Sequence, residues 1–111
     1  MAKDDGLAAI APAELAARLG QPGIFIGDCN PKRVWVRGHV PGAVNLDPAG
    51  YTEADLPVDH DAALIFYCSD PSCGASPYAA RRARKMGYTH VYVMRVGISG
   101  WIEAGLEVEK G

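Results

Sequence analysis

The segment LIFYCSDPSCGASPYAA, from Leu64 to Ala80, contains the pattern that decides the fold. Its first residues continue an uninterrupted apolar run that ends at Cys68, and such a run is typical of a strand covered on both faces. Turn-forming residues follow, and Ser76 with Pro77 is a favourable N-cap and first helical position. The sequence therefore predicts a buried strand, a short loop and a helix, with a cysteine at the carboxyl end of the strand.

This position favours negative charge on the sulfur of Cys68. Backbone N–H groups of the loop and the N-terminus of the following helix would face the sulfur, and both stabilise an anion. A thiol in such surroundings ionises more readily than a free cysteine and becomes a nucleophile. We therefore predict that Cys68 is the catalytic residue. The predicted anion-binding loop consists of Ser69, Asp70, Pro71, Ser72, Cys73, Gly74, Ala75 and Ser76.

Short apolar strands alternate with helices along the rest of the chain. The predicted strands are residues 23–28, 44–46, 63–67 and 90–94. The predicted helices are residues 12–20, a segment from Ser76 to Met86, and residues 97–104. Such alternation predicts a parallel sheet with helices on both faces, and ligands of such sheets bind beyond the carboxyl ends of the strands. We expect residues 1–11 to be a loose lead-in and residues 12–111 to form a single domain.

The composition argues against several classes of function. The chain has 111 residues, of which 49% are hydrophobic, and its formal net charge is -2. A charge this small gives no basic face for nucleic acid and no basic patch for a membrane. No apolar run approaches the roughly 20 residues of a membrane-spanning helix, and the first residues lack a secretory core. We therefore expect a cytoplasmic protein that binds neither nucleic acid nor membranes.

Four segments, in the correct order, resemble the rhodanese family. Ile26–Asn30 is similar to the family's strand ending in Asp-x-Arg, and Arg37–Asn45 is a nearly complete Gly-His-Ile-Pro-Gly-Ala-x-Asn motif. Phe66–Tyr88 is similar to the active-site strand, loop and helix of the family. Gly97–Val108 is similar to its C-terminal Gly-Gly-x-x-x-Trp segment. The resemblance implies a three-layer α/β/α domain with a central, mostly parallel five-stranded sheet.

The resemblance also implies the chemistry of a single-domain sulfurtransferase. Cys68 would take a sulfane sulfur from a donor such as thiosulfate or a polysulfide, become a persulfide, and pass the sulfur to cyanide or a thiol. The implied partners are these small molecules and a sulfur-carrier or thioredoxin-like protein. No cofactor and no metal are expected, because two loop cysteines do not supply a four-ligand set.

Three departures from the family pattern leave the donor open. Ser76 lies eight positions after Cys68, so the loop is about two residues longer than usual. The loop lacks its usual cation and contains Asp70 instead, which disfavours the dianion thiosulfate. Asn30 stands where the family has arginine, and Val96 replaces the first glycine of the C-terminal pair. The basic residues that could meet an anionic donor are Arg33, Arg37 and Arg95.

Cys73 is a candidate redox partner of Cys68. The two residues could close a disulfide if their Cβ atoms approach within about 4.5 Å. Cys73 could then resolve a persulfide on Cys68 with release of sulfide, or protect Cys68 from overoxidation. The alternative is that Cys73 is an exposed bystander. Cys29 is interpreted as a core residue, and Asp28 and His39 as structural residues rather than a catalytic pair.

Two other functions stay open. One is a redox-active enzyme of the same fold, similar to an arsenate reductase or a phosphatase. Those phosphatases hold the phosphoryl oxygens with an arginine near the cysteine, whereas the first arginine after Cys68 is Arg81. Phosphoryl transfer without a local cation would lose several kcal/mol of charge stabilisation. The other is a non-catalytic interaction module.

Overall fold

A computed structural model, which describes residues 7–111, contains one sheet of five strands. The strands are β1 (Leu7–Ala9), β2 (Ile24–Asp28), β3 (Val44–Asn45), β4 (Ala63–Tyr67) and β5 (His90–Val93). They are ordered β1-β5-β4-β2-β3, and every neighbouring pair is parallel. The prediction of a mostly parallel five-stranded sheet is therefore confirmed.

Helices cover both faces of the sheet. They are α1 (Pro12–Ala16), α2 (Lys32–Trp35), α3 (Ala75–Lys85) and α4 (Gly97–Glu103). The side chains of β4 alternate between two apolar clusters: Leu64 and Phe66 pack with the alanines of α3, and Ile65 and Tyr67 pack with α1 and α4. This arrangement explains why the β4 segment is apolar at every position, since both faces are removed from water.

Part of the segment predicted as a loose lead-in belongs to the sheet. Residues 7–9 form β1, the edge strand that pairs with β5 through Leu7 and Val91, so they belong to the sheet. Residues 1–6 lie outside the described part of the chain. A three-residue edge strand with two exposed alanines has no detectable alternation, which is why the sequence pattern missed it. The predicted helix 12–20 also ends early, at Ala16, and continues only as turns.

The start of α3 differs from the prediction as well. Its N-cap is Gly74, and Ser76 lies inside the first turn of the helix, where it is buried. Pro77 is tolerated there because the first turn of a helix has no intrahelical partners for its N–H groups. Ala75 and Ser76, predicted as loop residues, are therefore part of α3. The hydroxyl of Ser76 does not cap α3; it contacts Cys68 instead, as described below.

No helix within residues 7–111 combines the length and the apolar character that crossing a membrane requires.

Candidate functional site

Cys68 lies directly after β4, at the carboxyl edge of the sheet, and its side chain is 2% exposed. It forms a disulfide with Cys73, and the two Cα atoms are 6.4 Å apart. This is the pairing that the sequence left open. The two sulfur atoms differ in their surroundings, because Cys68 is buried in the apolar cluster under α3 whereas Cys73 is only partly buried.

Ser76 is the polar neighbour of the buried sulfur. Its Oγ lies 3.3 Å from Cys68 Sγ, and because a disulfide sulfur carries no hydrogen, the serine hydroxyl is the donor. The same hydroxyl could donate to a thiolate at this position, and a hydrogen bond to a charged acceptor is about twice as strong as a neutral one. The N-terminus of α3, an 11-residue helix, adds its positive dipole end.

The first turn of α4 holds the start of the loop. The N–H of Ile98 donates to the carbonyl oxygen of Cys68 at 2.9 Å, and the N–H of Ser99 donates to that of Ser69 at 3.0 Å. Gly97 precedes them with a φ of +67°, and a Cβ atom at this residue would lie 2.5 Å from the carbonyl carbon of Ser69. Only glycine therefore allows α4 to approach the loop backbone so closely.

The amides of the loop do not all face the sulfur as predicted. In this disulfide-bonded form, the N–H of Ser72 donates to the carboxylate of Asp70 at 2.9 Å, and the N–H of Cys73 donates to the carbonyl oxygen of Asp70 at 3.1 Å. The Ser72 hydroxyl also donates to this carboxylate, and these bonds hold the pKa of Asp70 below its usual range. The loop thus satisfies these N–H donors with its own acceptors. The Asp70 carboxylate gives the loop a negative charge at neutral pH.

A pocket of about 530 Å³ opens beside the loop, at the carboxyl ends of β2 and β3. Cys73 lines it, and its charged lining residues are Lys32 and Asp47. Arg33, Arg37 and Arg95, the basic residues expected here, do not line it, and Arg95 lies at a separate pocket near α1. Lys32, one residue before the expected Arg33, was missed because the short helix α2 had no readable periodicity.

Asn30, at the position where the family pattern has arginine, connects β2 to the loop. Its side chain is 4% exposed and its Oδ1 accepts a hydrogen bond from Ser69 Oγ at 2.6 Å. Its carbonyl oxygen accepts from Asn45 Nδ2 at 2.8 Å, which ties β3 to the same edge. The Nδ2 of Asn30 has no partner, so the pocket wall contains one unsatisfied donor.

Asp28 belongs to the support of the site. Its carboxylate accepts from Tyr67 Oη at 2.7 Å and from the N–H of Asn30 at 2.8 Å, and Tyr67 Oη accepts from the N–H of Val40 at 3.0 Å. Burial raises the pKa of Asp28, although the bonds from Tyr67 and Asn30 act in the opposite direction. The carboxylate thus ties β2, β4 and the loop before β3 together.

His39 has no described contact with the disulfide, whereas Cys29 belongs to the same apolar cluster as Cys68 and lines the pocket. His39 Nδ1 lies 2.8 Å from the carbonyl oxygen of Trp35, and the two rings stack with centroids 4.1 Å apart. Cys29 is buried, and burial together with the Asp28 charge raises its pKa to about 12, so it stays a neutral thiol. Within residues 7–111, no three His, Cys, Asp or Glu side chains lie close enough to hold a metal ion.

We predict that Gly97→Ala destabilises the protein more than Gly105→Ala does. Both glycines have positive φ, at +67° and +79°, but a Cβ atom at Gly105 would meet nothing within 4 Å. The control, Gly105→Ala, should therefore lower the free energy of unfolding by about 1 kcal/mol, because alanine disfavours a positive φ. Gly97→Ala should lower it by about 1–3 kcal/mol more, because the loop must also move to make room for the Cβ atom. Urea unfolding measures both, and equal losses would contradict the close approach of α4 to the loop.

We predict that Asp28→Asn, which cannot ionise, changes the pH dependence of stability. Because the folded protein raises the pKa of Asp28 above 3.8, the folded state binds more protons than the unfolded chain in the interval above this value. The advantage of the wild type over Asp28→Asn should therefore be greatest at low pH and should decline as the pH rises through the folded pKa. Urea unfolding from about pH 4 to about pH 7 tests this, and an advantage that grows with pH would contradict it.

Comparison with known proteins places this chain in a family. The family model described as Rhodanese-like domain matches residues 11–104. The chain is 32% identical over 103 residues to the HTH-type transcriptional regulator Rv0324 of Mycobacterium tuberculosis, and this match covers 93% of the chain but 45% of the regulator. The chain thus spans about half the length of that curated relative.

Solved structures have the same fold. BH2092 of Bacillus halodurans is 24% identical, with a TM-score of 0.84, and the match covers 93% of this chain and 77% of that one. The 3-mercaptopyruvate sulfotransferase SseA of Escherichia coli is 23% identical, with a TM-score of 0.80 and coverage of 95% and 51%. The thiosulfate sulfurtransferase of Pseudomonas aeruginosa is 25% identical, with a TM-score of 0.82 and coverage of 95% and 20%. By the match of the family model over residues 11–104, the chain belongs to the rhodanese-like domain family.

Proposed function

We propose that this domain transfers sulfane sulfur through a persulfide on Cys68. The observation that carries the proposal is that Cys68 Sγ already forms a sulfur–sulfur bond at the carboxyl edge of the sheet, with the Ser76 hydroxyl 3.3 Å away. A persulfide is also a sulfur–sulfur bond on this atom.

The reaction begins once a dithiol has reduced the disulfide. The Cys68 thiolate attacks the sulfane sulfur of the donor, a bond forms between Cys68 Sγ and that sulfur, and the bond to the rest of the donor breaks with its electron pair leaving on the donor fragment. An acceptor thiolate or cyanide then attacks the outer sulfur and releases the Cys68 thiolate. The Ser76 hydroxyl and the N-terminus of α3 stabilise the anion at both stages.

The charges around the pocket favour donors with little negative charge. Lys32 and Asp47 offset each other in the lining, and the Asp70 carboxylate adds a negative charge to the loop. Thiosulfate brings two negative charges to this surface, whereas the persulfide of a small thiol brings at most a single charge on its sulfur. We therefore propose the persulfides of small thiols ahead of thiosulfate as donors.

The proposed partners are a thiol or cyanide acceptor and a sulfur-carrier or thioredoxin-like protein, in the cytoplasm. The two sulfurtransferases among the structural relatives support the reaction class. An arsenate reductase or phosphatase reaction is not proposed, because the charged residue within the loop from Ser69 to Gly74 is Asp70, an anion that repels a tetrahedral oxyanion.

A regulatory role is the second candidate. The observation that favours it is the 32% identity over 93% of the chain to a protein described as a transcriptional regulator. In that role, the domain would be a non-catalytic module that binds a DNA-binding partner. The two candidates differ in the reactivity of Cys68, because a non-catalytic module predicts a thiol that alkylates slowly and takes up no sulfur.

We predict that reduced Cys73→Ser gains one sulfur atom when it is incubated with a polysulfide, and that Cys68→Ser gains none. Intact-protein mass spectrometry measures the gain, and the double variant Cys29→Ser/Cys73→Ser, which also removes the buried thiol, is the control that should still load. If Cys68→Ser loaded and Cys73→Ser did not, the nucleophile would be Cys73. If no variant loaded with polysulfide or thiosulfate and Cys68 alkylated slowly, the regulatory role would replace sulfur transfer.

We also predict that Asp70→Asn accelerates loading by thiosulfate. Asparagine keeps the turn that Asp70 forms with Ser72 but removes the charge, so the rate should rise by about two- to fivefold at low salt. The matched control is Asp59→Asn, because Asp59 accepts the N–H of Asp61 in the same way at the amino end of β4, away from the site. An equal rate for Asp70→Asn and the wild type would show that this charge does not select the donor.

A further inference from the structure

We propose that Cys73 is a resolving thiol, which gives this domain a second activity: the reduction of sulfane sulfur to sulfide at the expense of a dithiol. The inference rests on the proposed persulfide on Cys68 and deepens it. The Cys68–Cys73 disulfide of this structure is then a product of turnover. The domain would have two outcomes for the same persulfide, since an external acceptor and Cys73 compete for it.

The resolving step balances without any external oxidant. The thiolate of Cys73, which has given its proton to water, attacks the inner sulfur of the Cys68 persulfide. A bond forms between Cys73 Sγ and Cys68 Sγ, the bond from Cys68 Sγ to the outer sulfur breaks, and the outer sulfur leaves with the electron pair as hydrosulfide. The outer sulfur is reduced, and the two cysteine sulfurs are oxidised to the disulfide.

The loop is shaped for attack on the inner sulfur. Two hydrogen bonds to Asp70, from the N–H of Ser72 and the N–H of Cys73, fold the segment back on itself and return residue 73 to residue 68. The carbonyl oxygens of Cys68 and Ser69 are held at the same time by the first turn of α4. The observed bond joins Cys73 to Cys68 Sγ, the atom that becomes the inner sulfur of a persulfide. The disulfide-bonded structure therefore has the geometry of the resolved state.

The two sulfurs of the disulfide offer different access to a reductant. Cys73 lines the pocket of about 530 Å³, whereas Cys68 is 2% exposed and does not line it. An incoming thiolate therefore reaches Cys73 Sγ and forms a mixed disulfide there, and Cys68 leaves as a thiolate. Ser76 and the N-terminus of α3 stabilise this leaving group, which accelerates exchange. The second thiol of the dithiol then releases Cys73 and becomes part of the dithiol's own disulfide.

A single-turnover experiment tests the resolving step. Reduced wild type, Cys73→Ser and Cys29→Ser are mixed without oxygen with one equivalent of benzenethiosulfonate, a singly charged donor whose leaving group is a sulfinate and not sulfide. No thiol is added, and released sulfide and remaining protein thiols are measured. We expect the wild type and Cys29→Ser to release about one equivalent of hydrosulfide per chain and to lose two thiols. Cys73→Ser should keep one sulfur on Cys68 and release sulfide only after a thiol is added.

The outcomes separate this inference from the function on which it rests. If Cys73→Ser loads but the wild type keeps its persulfide and both remaining thiols, the resolving role is wrong and the sulfurtransferase stands. If Cys73→Ser releases sulfide as fast as the wild type, Cys73 does not resolve the persulfide. If no variant takes up sulfur, the proposed function itself is wrong.

A trapping experiment tests the direction of reduction. The oxidised protein is treated with a monothiol, glutathione, and the mixed disulfide is located by fragmentation of the peptide that carries both cysteines. We expect the adduct on Cys73, at least about tenfold in excess of an adduct on Cys68. An adduct predominantly on Cys68 would contradict entry of the reductant from the pocket.

Discussion

Burial of β4 between two helical layers is the constraint on which the rest of the structure depends. Its side chains alternate between the cluster under α3 and the cluster under α1 and α4, so neither face can accept a polar residue without cost. The strand ends at Tyr67, and Cys68 is the first residue after it, still only 2% exposed, before the chain reaches water in the loop. The position of the cysteine at the edge of the sheet follows from the burial of the five residues before it.

Polar groups buried beside this edge make the site rigid. Asp28, at the end of β2, is held by Tyr67 of β4, and Asn30 receives the hydroxyl of Ser69 from the loop. Burial of a carboxylate is unfavourable on its own, and the hydrogen bonds compensate for part of that cost. The polar residues at the carboxyl ends of β2 and β4 thus connect neighbouring strands to the loop that carries the chemistry.

The disulfide connects this edge of the sheet to the loop that follows it. Cys68 is fixed by the strand and by the carbonyl contact to α4, whereas Cys73 is placed by the turn around Asp70. The asymmetry of exposure follows from this difference, since the strand end is covered by α3 and the turn is open to the pocket. The buried sulfur would protect the proposed persulfide from solvent. The accessible sulfur of the same loop would allow the disulfide to be reduced after the persulfide has been resolved.

The amino-acid sequence by itself determined four of the five strands, the order of these elements along the chain and the cysteine at the end of β4, because these depend on local apolar runs and on turn residues that act over a few positions. The boundaries of β4 were predicted to the residue, since an apolar run between polar turns has unambiguous ends. Only the tertiary structure decided that Leu7–Ala9 completes the sheet, that Ser76 faces the sulfur instead of capping a helix, and that Lys32 rather than Arg33 lines the pocket. It also decided that Cys73 returns to Cys68. Each of these depends on the distance between residues that belong to different elements or lie across a turn, and no pattern along the chain contains that distance.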